Sequence, residues 1–445
     1  MVGRIRPIGR IRRIRTAEVT AMTSDLLSRR RFIRRSIGFG AAAAAIGGFT
    51  RARPVPPSDR IALGFIGLGF QGLSQLRGGP WAEKGGFIAR NDVRVLAVCD
   101  VNRQRKDAAQ QVVKEHYGNQ DCAAYNDYRE LLGRKDIDAV VIATGDRWHA
   151  PLSIAAAIAG KDIYCEKPHT LTIREAQRVA ETMKRYGTIF QAGTQQRSWF
   201  EFRFTCELIR NGYIGYVENV TVNVGGPPAW YCDAPAEPEP DWLDWNRWLG
   251  PAPWRPYTSK IAPSGWMAFR DYSGGEMTNW GAHMFDLAQW ALGMDESGPI
   301  EIFPPDGKSY PVLTYKYGTG TIMTRGSISR DVQGVRFEGN RGWIEVSRDH
   351  LLASPPSLLR HRIAPHELHL HESQNHQSDF LDAVRTRRRP ASDAEVAKRS
   401  ITVCHLGNIA YWLNRPLWWD PEREDFVDDP MASRMLDREA RVMGD

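Results

Sequence analysis

The sequence predicts an α/β protein, with a doubly wound parallel sheet in the N-terminal half followed by a mixed α+β half. Three observations predict it. Short apolar runs alternate with helix-period stretches from about residue 60 to residue 192. A glycine-spaced turn follows the first run, and beyond residue 193 the alternation gives way to Trp- and Pro-rich segments. The 445 residues are 42% hydrophobic and 25% charged, the composition of a folded globular protein with room for two or three domains, which excludes disorder and fibre.

Charge and leader come first along the chain. Residues 1–52 hold twelve Arg against Glu18 and Asp25, a local charge of +10, so the remainder sums to −3. No basic face is left to hold nucleic acid. Ser28-Arg29-Arg30-Arg31-Phe32-Ile33-Arg34, followed by the weakly apolar residues 37–49, resembles a twin-arginine export signal, with Met22 as the expected start and residues 51–57 as a linker. The apolar stretch is too short to span a membrane. Export by that route implies an extracytoplasmic, periplasmic protein, folded and carrying its cofactor before it leaves the cytoplasm. The expected divisions are residues 1–57 for signal and linker, 58–192 for the parallel-sheet domain and 193–445 for the second domain. Six Cys lie far apart without metal spacing and read as ordinary buried thiols.

The first apolar run, residues 60–66, leads into Gly67-Leu68-Gly69-Phe70-Gln71-Gly72 and a helical stretch from Leu73. This is GxGxxG between strand and helix. Its first glycine permits the turn, the second lets backbone approach a pyrophosphate, and the third lets helix pack on strand. A second strand, 93–99, ends at Asp100, whose carboxylate suits a ribose 2′-OH and favours NAD over NADP. Arg103 and Arg105 leave room for a 2′-phosphate, and residues 78–92 read as a Gly-rich insertion. Helices are expected over 103–117, 128–133, 151–159 and 173–186, and strands over 139–143, 162–165 and 188–192.

Four features now coincide: GxGxxG, Ala143-Thr144 with His149, Cys165-Glu166-Lys167-Pro168, and Gly281-Ala282-His283-Met284-Phe285-Asp286. With Gly193-Thr194-Gln195-Gln196-Arg197-Ser198 and Trp245-Asn246-Arg247-Trp248-Leu249-Gly250-Pro251, they make the chain similar to the exported bacterial branch of the Gfo/Idh/MocA oxidoreductases. The likeness runs from about Asp59 to the C-terminus. It implies a Rossmann domain, a second domain with an open, mostly antiparallel sheet over the nicotinamide, and a homo-oligomer. Motif and resemblance together assign dinucleotide contacts to Gly67, Gly69, Phe70, Gln71, Gly72, Asp100, Arg103, Thr144, His149, Glu166, Lys167 and Arg197.

Hydride removal from a secondary alcohol requires the hydroxyl proton to leave as well, so a base or cationic donor must sit at that oxygen. Lys167 and His283 are the candidates. In the family the His works with an acid four positions earlier; here that position is Asn279, which cannot take a proton. Asp286, one helical turn from His283, could orient it or could be a bland surface or capping residue. Eight of the fifteen Trp lie between Trp230 and Trp290, suited to stacking on sugar C–H faces or to core and interface packing. Residues 227–240 read as an irregular loop bordering the site. His361, His366, His369, His371 and His376 crowd together but match no metal-ligand pattern, so no metal is expected.

The leading expectation is an NAD-dependent oxidoreductase acting on a sugar, polyol or glycoside, with tightly held cofactor because no free nicotinamide pool is expected outside the cytoplasm. One alternative is redox-neutral glycoside cleavage through a transient keto-sugar, with Lys167, His283 or a tyrosine such as Tyr272 as base. Another is a non-catalytic, cofactor-retaining sugar-binding protein.

Overall fold

The protein is described here by a computed structural model covering residues 59–441 except 81, 331 and 374. The expected export signal lies outside the described residues. Strand β1 (Ile61–Ile66) leads through the glycine turn into α1 (Phe70–Arg77), and β2 (Val93–Cys99), α2 (Arg103–Tyr117), β3 (Ala123–Tyr125) and α3 (Tyr128–Leu132) follow. Then come β4 (Ala139–Ile142), α4 (Asp146–Ile158), β5 (Asp162–Cys165), α5 (Ile173–Tyr186) and β6 (Phe190–Ala192). All six strands are parallel, in the order β3-β2-β1-β4-β5-β6. β1 and β4 are neighbours although β1 is followed in sequence by β2, so a crevice opens at their carboxyl ends, where doubly wound sheets bind ligands.

Both faces of this sheet are buried, which is why its strands read as unbroken apolar runs. The Gly-rich segment 78–92 contributes to the core. Its Phe87 is fully buried and meets Phe65, Tyr164 and Phe380 edge to face. α4 begins at Asp146, five residues before the expected start, and carries Pro151 inside it. Pro151 has no N–H to offer the Arg147 carbonyl one turn back, and Arg438 Nη2 donates to that oxygen instead, at 3.0 Å. The longer helix brings Asp146 to the crevice.

The second half continues with α6 (Phe200–Arg210), β7 (Val217–Asn223), α7 (Trp245–Leu249), α8 (Glu276–Asn279) and α9 (Gly281–Leu292). It adds β8 (Pro299–Phe303), β9 (Thr314–Tyr317), β10 (Ile322–Arg325), β11 (Gly334–Gly339), β12 (Gly342–Ser347) and β13 (Leu351–Ser354). After α10 (His376–Thr386) and α11 (Ala394–Leu413), the strands β14 (Leu417–Asp420) and β15 (Asp425–Phe426) complete the sheet. Among the described residues nine strands run β13-β12-β11-β7-β10-β9-β8-β14-β15, antiparallel except for the parallel pair β7 and β10. α6, α9 and α11 cover one face through the largest apolar cluster.

Two segments tie the halves together. α10 packs Phe380, Leu381, Ala383 and Val384 into the core of the parallel sheet, although it follows seven strands of the second sheet in sequence. The long connection between β7 and α8 folds back over the crevice: Arg103 N donates to Trp242 O at 2.8 Å and Asp244 N to Val101 O at 3.0 Å. Its Trp245, Trp248, Tyr257 and Tyr272 form a small separate core. No helix of the described residues is long and apolar enough to cross a membrane.

Candidate functional site: a dinucleotide cradle and a half-buried lysine

A cavity of about 570 Å³ occupies the crevice. At one end lies the glycine turn. Gly67 has φ +89°, and a Cβ there would lie 2.6 Å from the Ala143 carbonyl oxygen; a Cβ on Gly72 would lie 2.0 Å from the Gly67 oxygen. Gly72 does not itself line the cavity, but it lets α1 close on the turn so that its first N–H groups face the crevice. Asp100 accepts from Leu68 N at 2.7 Å and Asn102 N at 2.8 Å, which fixes its carboxylate at the turn while leaving lone pairs for a ribose hydroxyl. Burial pushes that carboxyl up against the pull of the two N–H groups.

Gly67, Gly69, Phe70, Gln71, Asp100, Thr144, His149, Glu166 and Lys167 all line this one cavity. His149 Nδ1 donates to the Pro168 carbonyl at 2.7 Å, and burial lowers the ring to about 4, so it is neutral with Nε2 as acceptor. That Nε2 is buried without a hydrogen-bond partner among the described residues. Glu166 Oε1 accepts from Gln71 at 3.0 Å, Gln75 at 2.6 Å and Gln195 at 3.1 Å. The glycine cradle, the fixed acid at the end of β2 and the unpartnered ring nitrogen together fit a dinucleotide.

Beyond the cradle the cavity reaches Lys167, Asn279 and His283. Lys167 Nζ donates to Asn279 Oδ1 at 2.7 Å and to its carbonyl at 3.2 Å. Burial pulls the ammonium below its usual range, opposed by Glu166 and Asp146. Asn279 Nδ2 donates to both oxygens of exposed Glu276 at 3.2 Å, so the amide is oriented with its oxygen toward the lysine. His283 is the third residue of α9 and buried; desolvation, with Lys167 and Arg348 nearby, holds it well below its ordinary value. Its Nε2 accepts from Arg348 Nη2 at 3.4 Å.

Four expected assignments are corrected. Arg103 is exposed and pairs with Asp241 at 3.4 Å, because as the first residue of α2 it points toward the overlying loop; Arg105 lines the cavity instead. Arg197 and Asp286 do not line the cavity. They form a buried pair with Nη2–Oδ1 2.7 Å and Nε–Oδ2 2.8 Å, joined by Asp295 and by the Ser400 hydroxyl. Asp286 is therefore neither a surface residue nor a partner of His283. Tyr272 is likewise in the separate aromatic core, outside the cavity, with burial raising its phenol to about 12. Of the Trp-rich segment, Trp248, Trp266 and Trp280 reach the cavity, while Trp230 and Trp254 are exposed.

Asp146 and Arg348, both lining the cavity, escaped the sequence reading. Asp146 accepts from the Ser273 hydroxyl at 2.8 Å, and burial raises it to about 7 despite Lys167 nearby. Arg348 arrives from the β12–β13 turn, with no local motif to mark it. The histidine cluster serves structure: His371 pairs with Asp379 at 2.7 Å, and His376 bridges Ala192 O and Ser198 Oγ. Among the described residues no three metal-ligating side chains group together.

Fold and site define a dinucleotide-binding α/β oxidoreductase whose second sheet domain closes the cleft. Two family models match: the oxidoreductase-family NAD-binding Rossmann fold over residues 61–194, and the oxidoreductase-family C-terminal alpha/beta domain over residues 206–443. The chain belongs to the Gfo/Idh/MocA oxidoreductase family. Over 133 residues it is 34% identical to an alpha-N-acetylgalactosaminidase of Shewanella oneidensis and 35% identical to a glycosyl hydrolase family 109 protein of Shewanella baltica. Those matches span 29% of this chain and only 27% of either relative. Among solved structures it resembles the aldose-aldose oxidoreductase of Caulobacter crescentus complexed with glycerol, at TM-score 0.55 and 18% identity. It also resembles the WlbA dehydrogenase of Bordetella pertussis in complex with NADH and UDP-GlcNAcA, at TM-score 0.56 and 16% identity. Each likeness covers 81% of this chain and 99% of the other, and at such identities it is one of fold.

Proposed function

We propose that the protein oxidises a secondary alcohol of a sugar, polyol or glycoside, with NAD held tightly in the cleft. The observation that carries this is Lys167: a half-buried amine at the end of the glycine cradle, fixed by Asn279 and near a neutral buried imidazole. The bound dinucleotide supplies the acceptor for the hydride that leaves the alcohol carbon. Lys167 takes the hydroxyl proton, so carbonyl, hydride and proton account for the alcohol's two hydrogens. Its lowered pKa favours the neutral amine that this requires. Asn279 holds the amine in place without competing for the proton. Asp100 favours NAD, because a fixed carboxylate repels a 2′-phosphate.

A second reading is redox-neutral glycoside cleavage, in which one substrate is oxidised, loses its leaving group by elimination and is reduced again. Two observations favour it: the similarity of 133 residues of the chain to glycosyl hydrolase family 109 proteins, and an amide where the family's acid is expected. The test is to purify the protein without added nucleotide, weigh the dinucleotide released on denaturation, then add sugars and glycosides. Reduced-nicotinamide absorbance with a keto product supports net oxidation. Cleavage without net reduction supports the second reading, and absence of any dinucleotide overturns both.

A further inference from the structure

We propose that the substrate carries a carboxylate and that Arg348 binds it, so that the cleft takes a uronic acid or a glycoside of one. This rests on the reading of the cleft as a sugar oxidoreductase site and names its substrate class.

The chemistry at the alcohol is complete without Arg348. A guanidinium keeps its proton at any working pH, so it cannot serve as the base. What it offers is a rigid fork of N–H donors matched to the two oxygens of a carboxylate. Arg348 is also delivered by a built support. It sits in the turn between β12 and β13, where Ser347 Oγ accepts from Asp349 N at 3.0 Å and His350 N at 3.1 Å. His350 in turn bridges Ser347 Oγ and Glu345 Oε1, each at 2.9 Å, and Glu345 is fully buried. A turn pinned in this way projects its arginine into the cleft with little conformational entropy left to lose on binding.

Position points the same way. The guanidinium lies over the Trp280 ring at 4.7 Å and beside His283 Nε2 at 3.4 Å, in the same cavity as Lys167. His283 is thus within reach of both charges, since the Lys167 ammonium and the Arg348 guanidinium each lower its ring. Trp280 and Trp266 supply aromatic surface for its C–H face. Burial already pulls Arg348 below its ordinary value, opposed by Glu166 and Asp349, and an incoming carboxylate would add to that opposition where a neutral hexose would not.

The test compares matched pairs on the holoenzyme: galacturonate against galactose, and glucuronate against glucose, with glucose 6-phosphate as a third anion. Wild type is expected to prefer the uronates. Arg348→Gln lowers the uronate-to-hexose ratio of kcat/KM on the order of 100-fold through KM, keeps its bound dinucleotide, and Arg348→Lys recovers part of the ratio. Equal use of hexose and uronate by wild type, preference for the sugar phosphate, or an unchanged ratio in Arg348→Gln overturns the proposal. Loss of dinucleotide from Arg348→Gln also overturns it, by assigning the arginine to the cofactor. Reduction by hexoses alone sinks this proposal and spares the oxidoreductase reading, whereas reduction by no sugar sinks both.

Discussion

Replacing Asp286 by Asn separates structure from chemistry, because its one-turn spacing from His283 and its place in the fold suggest different tasks. Arg197 and Asp286 are each 3% exposed. They share three N–H···O contacts of 2.7 to 3.0 Å, and the Ser400 hydroxyl donates to the same carboxylate at 2.5 Å. Removing one partner of such a pair leaves a buried charge, at a cost of roughly 3–5 kcal/mol. Asp295 still reaches Arg197 at 2.7 Å from a 28% exposed position, which places the loss near about 3 kcal/mol. Urea unfolding of the purified variant reads this directly. An apolar pair at both positions should recover most of it, since the desolvation cost of both charges then disappears. Unchanged stability combined with loss of nicotinamide reduction in Asp286→Asn would refute this reasoning and return the carboxylate to the chemistry.

Three further outcomes follow from the same geometry. Burial raises Asp146 from 3.8 to about 7, so the folded chain keeps a proton that the unfolded chain releases, and this stability is lost as pH rises from about 4 to about 7. Asp146→Asn should remove that loss, on the order of 3–4 kcal/mol between the two ends, read by urea unfolding at pH 4.5 and 8. Asn279→Asp puts a carboxylate 2.7 Å from Lys167 Nζ, which stabilises the ammonium. The acid limb of the pH–rate profile should therefore move up by about one unit or more, and an unmoved limb would exclude Lys167 as the base. Gly72→Ala sets a Cβ 2.0 Å from the Gly67 carbonyl oxygen; the turn must open, and the dinucleotide recovered per chain should fall sharply, as mass analysis of the denatured protein will show.

What the sequence revealed was local. Gly67 to Gly72 and Asp100 are legible because the dinucleotide needs a specific backbone shape directly after a strand, and Lys167 because it follows β5 in a short signature. The helix start was misread because Pro151 looks like a first-turn residue, and only Arg438, 291 residues on from Arg147, shows how the freed carbonyl is satisfied. Arg197 lies in a family-like stretch near the cleft, yet its partner is 89 residues away on α9, and nothing in either neighbourhood signals the pairing. Arg348 was invisible for the same reason: a lone arginine in a strand turn gains meaning only when the second sheet folds over the first. The aromatic segment was ambiguous because both stacking and packing select Trp. The fold resolves it residue by residue, sending Trp245 inward and Trp266 and Trp280 to the cavity.

The central claim is that the cleft moves hydride between a sugar carbon and a bound nicotinamide. The most direct measurement uses sugars deuterated at their secondary carbinol carbons, with the dinucleotide released on denaturation and weighed. The account predicts NAD in the untreated protein and a deuterium-bearing reduced dinucleotide after the sugar is added, with Lys167→Met binding NAD but acquiring no label. Sugar consumed without label in the dinucleotide, or a protein that releases no dinucleotide, would contradict it.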